Sequence, residues 1–455
     1  MENNHGVRLV WQGKNTDTAL KSPVLKRERE YIFANLLDTQ ELFAQIVGPA
    51  AASTEISGRL IQGNNQEVLK LLQDEGYEEK IDLIYIDPPY LSESKYSSRI
   101  KLGDKDNYQV FERLVFKDEG EESLDSYLDE LYRCLQLMKV LLSSRGSIFV
   151  HLDWHVSHYV RVILDEVFGS QNFINEIVWC YGGGSGTRRH FHRKHDLIFW
   201  YSRSEDYIFN PQYRPYSSKT IQRGLTRVKG DKYNLHREGA LMQDWWSDIN
   251  KILSPTAYEN LKFPTQKPIA LLKRIIATAS YPDSLVADFY SGSGTTAAAC
   301  EEMGRQWIVC DNNTIATNTT IQRLVKIQAR PFVYDMVNSK HQEQGNLEVK
   351  VVTGVHSEKY RRVDIEIVSY SIVNQSIEAL DSQISFKSLI EFWEIDPDYE
   401  EKGFCSQVQV VREKVQWDDS LPVVASILIP YRESGSIAVK VYDILGNSTT
   451  KIFQY

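Results

Sequence analysis

The stretch "IDLIYIDPPYLSE", Ile81 to Glu93, decides the fold class because it joins a buried strand to a stiff loop. Its first six residues are mostly apolar, which is typical of a parallel strand covered on both faces. An acid, two prolines and a tyrosine follow, from Asp87 to Tyr90. Because proline fixes its own φ and restricts the residue before it, the backbone of this loop is narrowly held. The sequence therefore predicts a strand of an α/β sheet that ends in a rigid loop.

The chain on both sides of this stretch alternates between strand and helix patterns. Apolar residues at helical spacing predict helices, and short apolar runs bounded by turn residues predict strands. Such alternation is typical of an α/β fold. The segments are, in order, the strand and helix of "GRLIQGNNQEVLKLL", the helix "SLDSYLDELYRCLQLMKVLL", the strand "GSIFVHL", the helix "HYVRVILDEVFG", the strands "NEIVWCY" and "HDLIFWYS", the helix "KPIALLKRIIATAS", the strand "SLVADF", the loop and helix "SGSGTTAAACEEMG", the strand "RQWIVCD" and the helix "TTIQRLVKIQ".

We predict a doubly wound, mostly parallel α/β sheet with an insertion and a small β-rich C-terminal domain. Residues 1–58 are interpreted as an N-terminal leader, and residues 91–122 as a long polar excursion. The sheet is assigned to residues 59–180 and 251–338, which are separated by an insertion at residues 181–250 that lacks clear periodicity. After a linker near residues 335–345, residues 345–455 have the period-2 patterns of strands.

The composition is that of a globular protein without extensive disorder, since 42% of the 455 residues are hydrophobic and 25% are charged. Five scattered cysteines without CxxC spacing indicate reduced core thiols rather than a disulfide framework. The N-terminus lacks a signal-peptide pattern, and no apolar run is long enough to span a bilayer. The sequence therefore predicts a cytoplasmic protein that does not enter a membrane.

The formal net charge of −9 conceals a basic segment in the middle of the chain. Residues 181–240 contain twelve Lys and Arg against five Asp and Glu, whereas residues 341–455 contain eleven basic against eighteen acidic residues. Because these two segments offset each other, the total charge says little about partners.

A second loop, "ADFYSGSGTTAAA", has the pattern of a ligand-binding turn between a strand and a helix. Asp288 ends the strand, and the helix begins near Thr295. Gly292 and Gly294 allow the backbone to approach a ligand closely, next to the N–H groups of the helix start. Asp311 ends the next strand, at the distance along the chain where an acid reaches ribose hydroxyls in doubly wound sheets. The loop lacks the Lys of a P-loop, so a nucleoside without a triphosphate fits best. The alternative is a glycine-rich connection with an incidental acid.

The rigid loop that follows the first strand is suited to hold an amino group. The prolines carry no N–H, so the Asp87 carboxylate and the exposed carbonyls can only accept hydrogen bonds. The lone pair of a nucleobase amine is delocalised into the ring, and two acceptors on its hydrogens favour the pyramidal form that can attack. Tyr90 offers a face for stacking. The alternative is a turn in which Asp87 serves as an N-cap.

Together the two loops resemble those of the DNA amino-methyltransferases that use S-adenosylmethionine. Asp87 to Tyr90 match the family's catalytic tetrapeptide, and "YSGSG", residues 290–294, matches its FxGxG cofactor loop with Tyr290 in place of Phe. "FPTQKPIALLKRII" resembles the element that lines the methionine end of the cofactor, and "GNN", residues 63–65, resembles a polar turn before the catalytic strand. The order of the motifs resembles the β group, and particularly the modification subunits of type III restriction systems. The resemblance covers roughly residues 59 to 325.

The resemblance implies a reaction and a set of site residues. It implies methyl transfer from S-adenosyl-L-methionine to the exocyclic N6 of a flipped adenine, without a covalent intermediate, in a restriction-modification or phage-defence system. N4 of cytosine is the alternative target, although those enzymes often have Ser at the first motif position. The catalytic residues implied are Asp87, Pro88, Pro89 and Tyr90. The cofactor-binding residues implied are Asp288, Tyr290, Gly292, Gly294, Thr295, Asp311, Lys267, Pro268 and Asn64.

The basic segment resembles the family's target-recognition region by its position, which implies double-stranded DNA as the partner. The residues implied to contact DNA are Arg188, Arg189, Arg193, Lys194, Arg223 and Arg227. The alternative is a solvated basic insertion. His190, His192 and His195 near Cys180 match no standard zinc spacing, so no metal site is expected.

Two rival functions follow from the same residues. One is a protein or RNA methyltransferase, although the glutamine-directed relatives usually carry Asn at the position of Asp87. The other is a DNA-binding specificity subunit with an inactive methyltransferase fold, against which the intact motifs argue. The C-terminal domain leaves three partners open, namely a restriction or defence subunit, a second copy of the chain in a homodimer, or DNA.

Overall fold

The computed structural model describes residues 7–14, 26–36, 45–46, 55–92, 94–103, 108–117, 123–183, 188–225, 235–252, 254, 257–338, 345–372, 384–401, 403–412 and 421–455. Within these residues the strands are β1 (Arg27–Ile32), β2 (Gln45–Ile46), β3 (Gly58–Gln62), β4 (Ile81–Ile86), β5 (Lys95–Gly103), β6 (Tyr108–Lys117), β7 (Leu142–Leu152), β8 (Phe173–Cys180), β9 (His195–Ser202), β10 (Tyr213–Arg214), β11 (Ala240–Leu241), β12 (Trp245–Trp246), β13 (Leu285–Asp288), β14 (Gln306–Asp311), β15 (Phe332–Val337), β16 (Asn346–Val355), β17 (Tyr360–Ser371), β18 (Ile390–Asp396), β19 (Cys405–Ser406), β20 (Val408–Val411), β21 (Val424–Pro430), β22 (Ser436–Asp443) and β23 (Ser448–Gln454). The α-helices are α1 (Asn65–Asp74), α2 (Leu124–Leu141), α3 (Ser157–Phe168), α4 (Ser218–Leu225), α5 (Ile269–Ala279), α6 (Thr295–Met303) and α7 (Thr314–Lys326).

An eleven-stranded sheet in the order β12-β8-β9-β7-β4-β13-β14-β3-β15-β1-β19 forms the centre of the molecule. The strands from β7 through β4, β13, β14 and β3 to β15 run parallel to one another. On one side, β9 is antiparallel to both β7 and β8, and on the other side β1 is antiparallel to β15. The prediction of a mostly parallel sheet is therefore confirmed.

Helices cover both faces of this sheet, which is why its central strands are apolar along their whole length. Helices α1, α2 and α3 pack with alternate residues of β4 in one core, and α5, α6 and α7 pack with the remaining residues in a second core. Ile84 and Ile86 belong to the first core, while Leu83 and Tyr85 belong to the second. The doubly wound arrangement thus follows from the two-sided burial that the sequence pattern indicates.

The segments interpreted as a leader and as an insertion both contribute strands to the main sheet. β1 lies within residues 1–58 and pairs with β15, where Arg29 binds the buried Asp335 at 2.7 Å. Its charged sequence "REREYI" does not look like a strand inside a sheet, because Arg29 and Glu30 are paired with charges on other strands. β9 lies within residues 181–250 and sits between β7 and β8. The insertion is therefore built on a strand of the central sheet.

The segment interpreted as a polar excursion contains a two-stranded hairpin of β5 and β6. Its sequence is rich in charged residues because much of its surface faces solvent, which masks the strand pattern. Leu102 is nevertheless fully buried in the core of the C-terminal domain, and Gly103 N–H donates to the Ser388 hydroxyl at 3.2 Å. The hairpin thus connects the rigid loop of Asp87 to Tyr90, hereafter the DPPY loop, with the C-terminal domain.

The C-terminal residues form two four-stranded sheets, β16-β17-β21-β2 and β20-β18-β22-β23, around a core of their own. β2 comes from residues 45–46 and pairs with β21, so an N-terminal segment completes one of these sheets. The expectation of a β-rich C-terminal region is met by this arrangement. Among the residues that the structure describes, no helix is long and apolar enough to cross a bilayer.

Candidate active site

The DPPY loop follows β4, and the glycine loop, residues 289–294, follows the neighbouring strand β13 at the same edge of the sheet. β4 pairs with β13 through Leu83 and Val286, and both strands run in the same direction. Asp87 therefore follows one carboxyl end while Asp288 forms the next. Asp311 ends β14, the strand beyond β13. The carboxyl edge of a parallel sheet is where ligands bind in open α/β folds.

A single cleft of about 630 Å³ opens at this edge. The predicted residues that line it are Asn64, Asp87, Pro88, Pro89, Tyr90, Lys267, Asp288, Tyr290, Gly292, Thr295 and Asp311. Gly294 and Pro268 do not line it. Gly294 occupies the N-cap position of α6 with φ 70°, and Pro268 occupies the N-cap position of α5. These two residues shape the backbone next to the cleft.

The DPPY loop is held by one hydrogen bond between its own side chains and by two side chains from other parts of the molecule. The Tyr90 hydroxyl donates to one oxygen of the Asp87 carboxylate, and the Lys267 ammonium group forms an ion pair with the other. The Tyr127 hydroxyl of α2 donates to the Pro89 carbonyl at 2.8 Å. The acceptor patch expected from the sequence is therefore present, but protein donors already engage part of it.

The Asp311 carboxylate accepts hydrogen bonds from the backbone of the glycine loop and from the turn that follows β14. The Gly292 N–H donates to Asp311 Oδ2 at 2.8 Å, and the Asn313 N–H donates to Oδ1 at 2.9 Å. Gly292 has φ 49° and faces the ring of Phe263, at 3.4 Å from the position that a Cβ would take. A side chain at residue 292 would therefore be strained and would enter the space under Phe263.

Burial affects the ionisation of the two acids next to the glycine loop, Asp288 and Asp311. Asp288 is 2% exposed, and burial raises its pKa to about 7, although the Tyr290 N–H and the Thr296 hydroxyl donate to it. Burial also raises the pKa of Asp311. A further donor that reaches either acid would favour its ionised form and lower its pKa.

The donor set of the cleft fits a nucleoside cofactor. The Ser291 hydroxyl is buried at the cleft and has no hydrogen-bond partner in the described structure, so a polar group has a place there. The Asp311 carboxylate can accept two hydroxyl hydrogens beside the two N–H groups it already holds. Phe263 and Tyr290 supply aromatic surface on the same cleft.

Arg323 is buried next to the glycine loop and holds it by hydrogen bonds. Sequence reasoning missed this role. Arg323 is 7% exposed and donates to the Thr295 hydroxyl at 2.8 Å and to the Ser293 carbonyl at 3.3 Å. Burial lowers the pKa of Arg323 to about 10. The helical pattern of α7 gave no sign of this role, because an inward Arg at one helix position looks like any surface Arg.

A buried polar chain runs beneath the DPPY loop and was also missed. The Tyr85 hydroxyl lies 2.9 Å from His151 Nδ1, and His151 Nε2 lies 3.3 Å from Asp196 Oδ2. Tyr181 donates to Asp196 at 2.7 Å, and the Lys251 ammonium group lies 3.4 Å from it. Burial opposes the charge of Asp196, but His151 and Lys251 hold its pKa well below the usual range. A charged residue opening an apolar strand, as in "HDLIFWYS", was the available signal.

The residues predicted to contact DNA are only partly described. Arg188, Arg189 and Arg193 are exposed on the loop between β8 and β9, where the Arg193 guanidinium stacks 3.7 Å from the Trp154 ring centroid. Lys194 donates to the Gly183 carbonyl. The Arg223 side chain and the whole of Arg227 lie outside the described residues. Over the described part of the chain, no group of three or more His, Cys, Asp and Glu side chains is arranged to hold a metal ion.

Known proteins resemble this chain over more than half of its length. The type II methyltransferase M.EcaI of Enterobacter cloacae is 26% identical over 65% of this chain and 75% of its own length. The StyLTI Mod subunit, from a type III restriction-modification enzyme of Salmonella typhimurium, is 25% identical over 58% of this chain, which spans 53% of that subunit. The DNA adenine methyltransferase YhdJ of Escherichia coli is 24% identical over 59% of this chain and 84% of its own length.

A solved structure, the M1.HpyAVI-SAM complex, aligns with 59% of this chain and 98% of its own, at 19% identity and a TM-score of 0.39. The family described as DNA methylase matches residues 81–322, which is more than half of the chain and includes both the DPPY and the glycine loop. The chain therefore belongs to the DNA methylase family.

Proposed function

We propose that this protein transfers a methyl group from S-adenosyl-L-methionine to the N6 amine of an adenine that has left the base stack of duplex DNA. The observation that carries the proposal is the shared cleft, in which Asp87 follows β4 and the Gly292 turn follows the adjacent β13. In-line transfer needs donor and acceptor in one pocket, and two loops at one sheet edge meet that need. Membership of the DNA methylase family supports the same reaction.

Residues around the glycine loop would hold the cofactor. Asp311 is suited to ribose hydroxyls, Ser291 offers an unused buried hydroxyl, and Phe263 and Tyr290 offer surfaces for a flat base. When bound, S-adenosyl-L-methionine supplies an electrophilic methyl group on a sulfonium. The protein's task is then to orient and dehydrate the amine that will attack.

Asp87 orients that amine and receives its proton. An ionised carboxylate has about four lone-pair sites, so Lys267 and Tyr90 can keep their bonds while an amino group donates to a remaining site. Formation of the N–C bond would break the bond between the methyl group and the sulfonium sulfur, which would leave as a neutral thioether. The amine proton that becomes acidic can pass to Asp87 or through it to solvent. The Lys267 ammonium group pairs with one carboxylate oxygen and so holds the Asp87 side chain in a fixed orientation.

The role of Asp87 is tested by Asp87→Ala. Methylation of DNA in single-turnover assays should fall by about a hundredfold to ten-thousandfold, because both orientation and proton acceptance are lost. Cofactor affinity, measured by calorimetry, should change by less than about threefold, because Asp87 follows β4 rather than the glycine loop. Asp82→Asn, at the amino end of the same strand where Ser143 binds it, is the matched control and should keep its activity. An Asp87→Ala protein with normal activity would contradict the assignment.

The target base is decided by mass spectrometry of nucleosides from DNA of cells that express the protein. We expect N6-methyladenine, because the motif begins with Asp; N4-methylcytosine would assign the alternative base within the same mechanism. Sequencing of the methylated DNA would give the recognition sequence as well. A wild-type protein that leaves both bases unmodified would contradict the proposal.

We further propose a cytoplasmic role in a restriction-modification or defence system, because curated relatives include Mod subunits of type III restriction-modification enzymes. The C-terminal sheets are the candidate surface for a restriction subunit or a second copy of the chain. Light scattering of the protein alone and with DNA would distinguish a monomer from a homodimer.

A further inference from the structure

An aromatic side chain stands out on the basic segment of residues 188–194, which leads into β9. Phe191 is 98% exposed, so almost none of its ring contacts the protein. Arg188, Arg189 and Arg193 are exposed on the same short segment, "RRHFHRK". An exposed Phe ring among cations is suited to an anionic partner that also offers an apolar slot.

The loop lies at the same sheet edge as the cleft. β4 and β7 run parallel and pair through Ile86 and Val150, so β7 also ends at the carboxyl edge. β9 is antiparallel to β7, with Leu197 opposite Leu152, so β9 begins at that edge. Since strands are spaced about 4.8 Å apart, the root of the loop lies only about 10 Å from the strand that carries Asp87.

Contacts on both sides hold the base of the loop in place. The Tyr181 N–H donates to the Lys194 carbonyl at 3.0 Å and closes the loop at its root. Arg193 is stacked on Trp154, which follows β7. Tyr181 is also bonded to Asp196, the end of the buried chain that begins at Tyr85 below the DPPY loop. These contacts fix the part of the loop that adjoins β9, next to the exposed Phe191.

We infer that Phe191 inserts into the DNA base stack beside the target nucleotide and fills the space that the flipped base leaves. The inference rests on the proposed function, since it needs a base to leave the duplex. Arginines on the loop would hold the flanking phosphates, and an apolar wedge between base steps offsets the cost of unstacking. The wedge lowers the cost of extrusion, so its effect belongs to the flipping step and not to the chemistry.

Tyr258 is the competing aromatic, because it is also fully exposed and lies on the segment that leads to Phe263. Glu259 follows it directly, and its carboxylate accepts the Ile269 N–H at 3.0 Å. An acid beside the ring disfavours close approach to a phosphate backbone. The basic surroundings favour Phe191 as the wedge.

The test compares single-turnover methylation of two duplexes that carry the recognition sequence, one fully paired and one with an abasic site opposite the target base. Phe191→Ala should slow methylation of the paired duplex by roughly tenfold or more, because it loses the wedge. It should slow methylation of the abasic duplex by less than about twofold, because that target base is already unpaired. Phe191→Trp keeps an aromatic wedge and should stay close to the wild-type rate on both.

Two control variants and a binding measurement separate this effect from general damage. Phe209→Ala removes a half-exposed Phe that follows β9, at the opposite edge of the sheet, and should leave both rates unchanged. Tyr258→Ala should also leave both rates unchanged. Cofactor affinity of Phe191→Ala should equal that of the wild type, because Phe191 is not among the described residues that line the cleft.

Three results would overturn the inference. Phe191→Ala could match the wild type on both duplexes, it could slow both equally, or the defect confined to the paired duplex could appear in Tyr258→Ala instead. A wild-type protein that methylates neither duplex would contradict the proposed function itself, and the role of Phe191 with it.

Discussion

Asp196 of β9 and Asp288 of β13, both buried in the central sheet, show how the surroundings of an aspartate determine its ionisation. Asp196 has His151 and Lys251 as cationic or donor partners, which hold its pKa below the usual range against the effect of burial. Asp288 is equally buried but has only the Tyr290 N–H and the Thr296 hydroxyl, and burial raises its pKa to about 7. The same side chain is therefore a fixed charge at one site and a titrating group at the other.

The raised pKa of Asp288 makes stability depend on pH. The native state binds this proton more tightly than the unfolded chain, whose Asp has a pKa near 3.9, so the free energy of unfolding should fall as pH rises from about 4 to about 7 and then level off. Asp288→Asn should lose this slope, with a difference on the order of a few kcal/mol across the range. Urea unfolding between pH 4 and 8 measures it.

Asp283→Asn is the matched control, because it lies in the turn before the opposite end of β13 and should keep the wild-type slope. Parallel curves for the wild type and Asp288→Asn would show that Asp288 does not titrate in the folded protein.

At the scale of elements, the turn before α1 serves both the fold and the cleft. The Asn64 side chain accepts from the Gln66 N–H at 3.0 Å and the Glu67 N–H at 3.4 Å, which makes it the N-cap of the helix. Asn64 also lines the cleft. The sequence indicated the cofactor role by resemblance, and the cap explains why a short polar side chain stands there.

Removal of this cap should weaken the fold by a predictable amount. Asn64→Ala leaves two N–H groups of α1 without their side-chain acceptor and should lower the free energy of unfolding by about 1 kcal/mol, as measured in urea. Asn64→Asp keeps the acceptor and adds a negative charge at a helix N-terminus, so it should be at least as stable as the wild type. A loss in both variants, or in neither, would exclude a capping role.

The hairpin of β5 and β6 contains a buried charge, Arg113, that its sequence pattern does not reveal. Arg113 looks like a surface charge in "YQVFERLVFK", but it is mostly buried and donates to the Ile444 carbonyl at 2.6 Å and to Glu391 at 2.5 Å. Gln322 of α7 donates to the other Glu391 oxygen at 3.2 Å. Val115 of the same hairpin lines the cleft. One carboxylate thus joins the hairpin, the cofactor half and the C-terminal domain.

For the whole molecule, a buried ion pair joins the main sheet to the C-terminal domain. Lys440 of β22 pairs with Glu30 of β1, and both side chains are less than a tenth exposed. Glu394 lies in the same cluster, where burial raises its pKa to about 8. The sequence around Glu30 or Lys440 does not predict this interface, because the two partners are more than 400 residues apart.

Lys440→Met should destabilise the protein by roughly 3–5 kcal/mol in urea unfolding, because it leaves the buried Glu30 without its cation. Glu30→Gln combined with Lys440→Met removes both charges and should recover much of the loss. Arg432→Met, which breaks a half-exposed pair with Asp398, is the control and should cost less than about 1 kcal/mol. Equal losses in the two single variants would contradict a buried role for Lys440.

Charge distribution over the molecule leads to a prediction for DNA affinity. If the basic loop contacts phosphates, the affinity should fall steeply with added salt, and Arg188→Ala with Arg189→Ala should lower the slope of log affinity against log salt by about 1 per lost contact. Fluorescence anisotropy with a labelled duplex measures the slope. The exposed Lys350→Ala on β16, in the acidic C-terminal region, is the control and should keep the wild-type slope. A salt-independent affinity would leave the basic segment without a DNA role.

The sequence by itself determined the parallel strands, the helices between them, the rigid DPPY turn and the glycine loop, because apolar periodicity and the restrictions of Pro and Gly act over a few neighbouring residues. Only the tertiary structure decided that β9 lies between β7 and β8 in the main sheet, that β1 pairs with β15, and that the β5–β6 hairpin packs against the C-terminal domain. It also decided that His151, Asp196 and Arg323 support the two loops. These features depend on charges buried against partners far along the chain, and a charged residue looks the same in sequence whether its partner is water or a buried side chain.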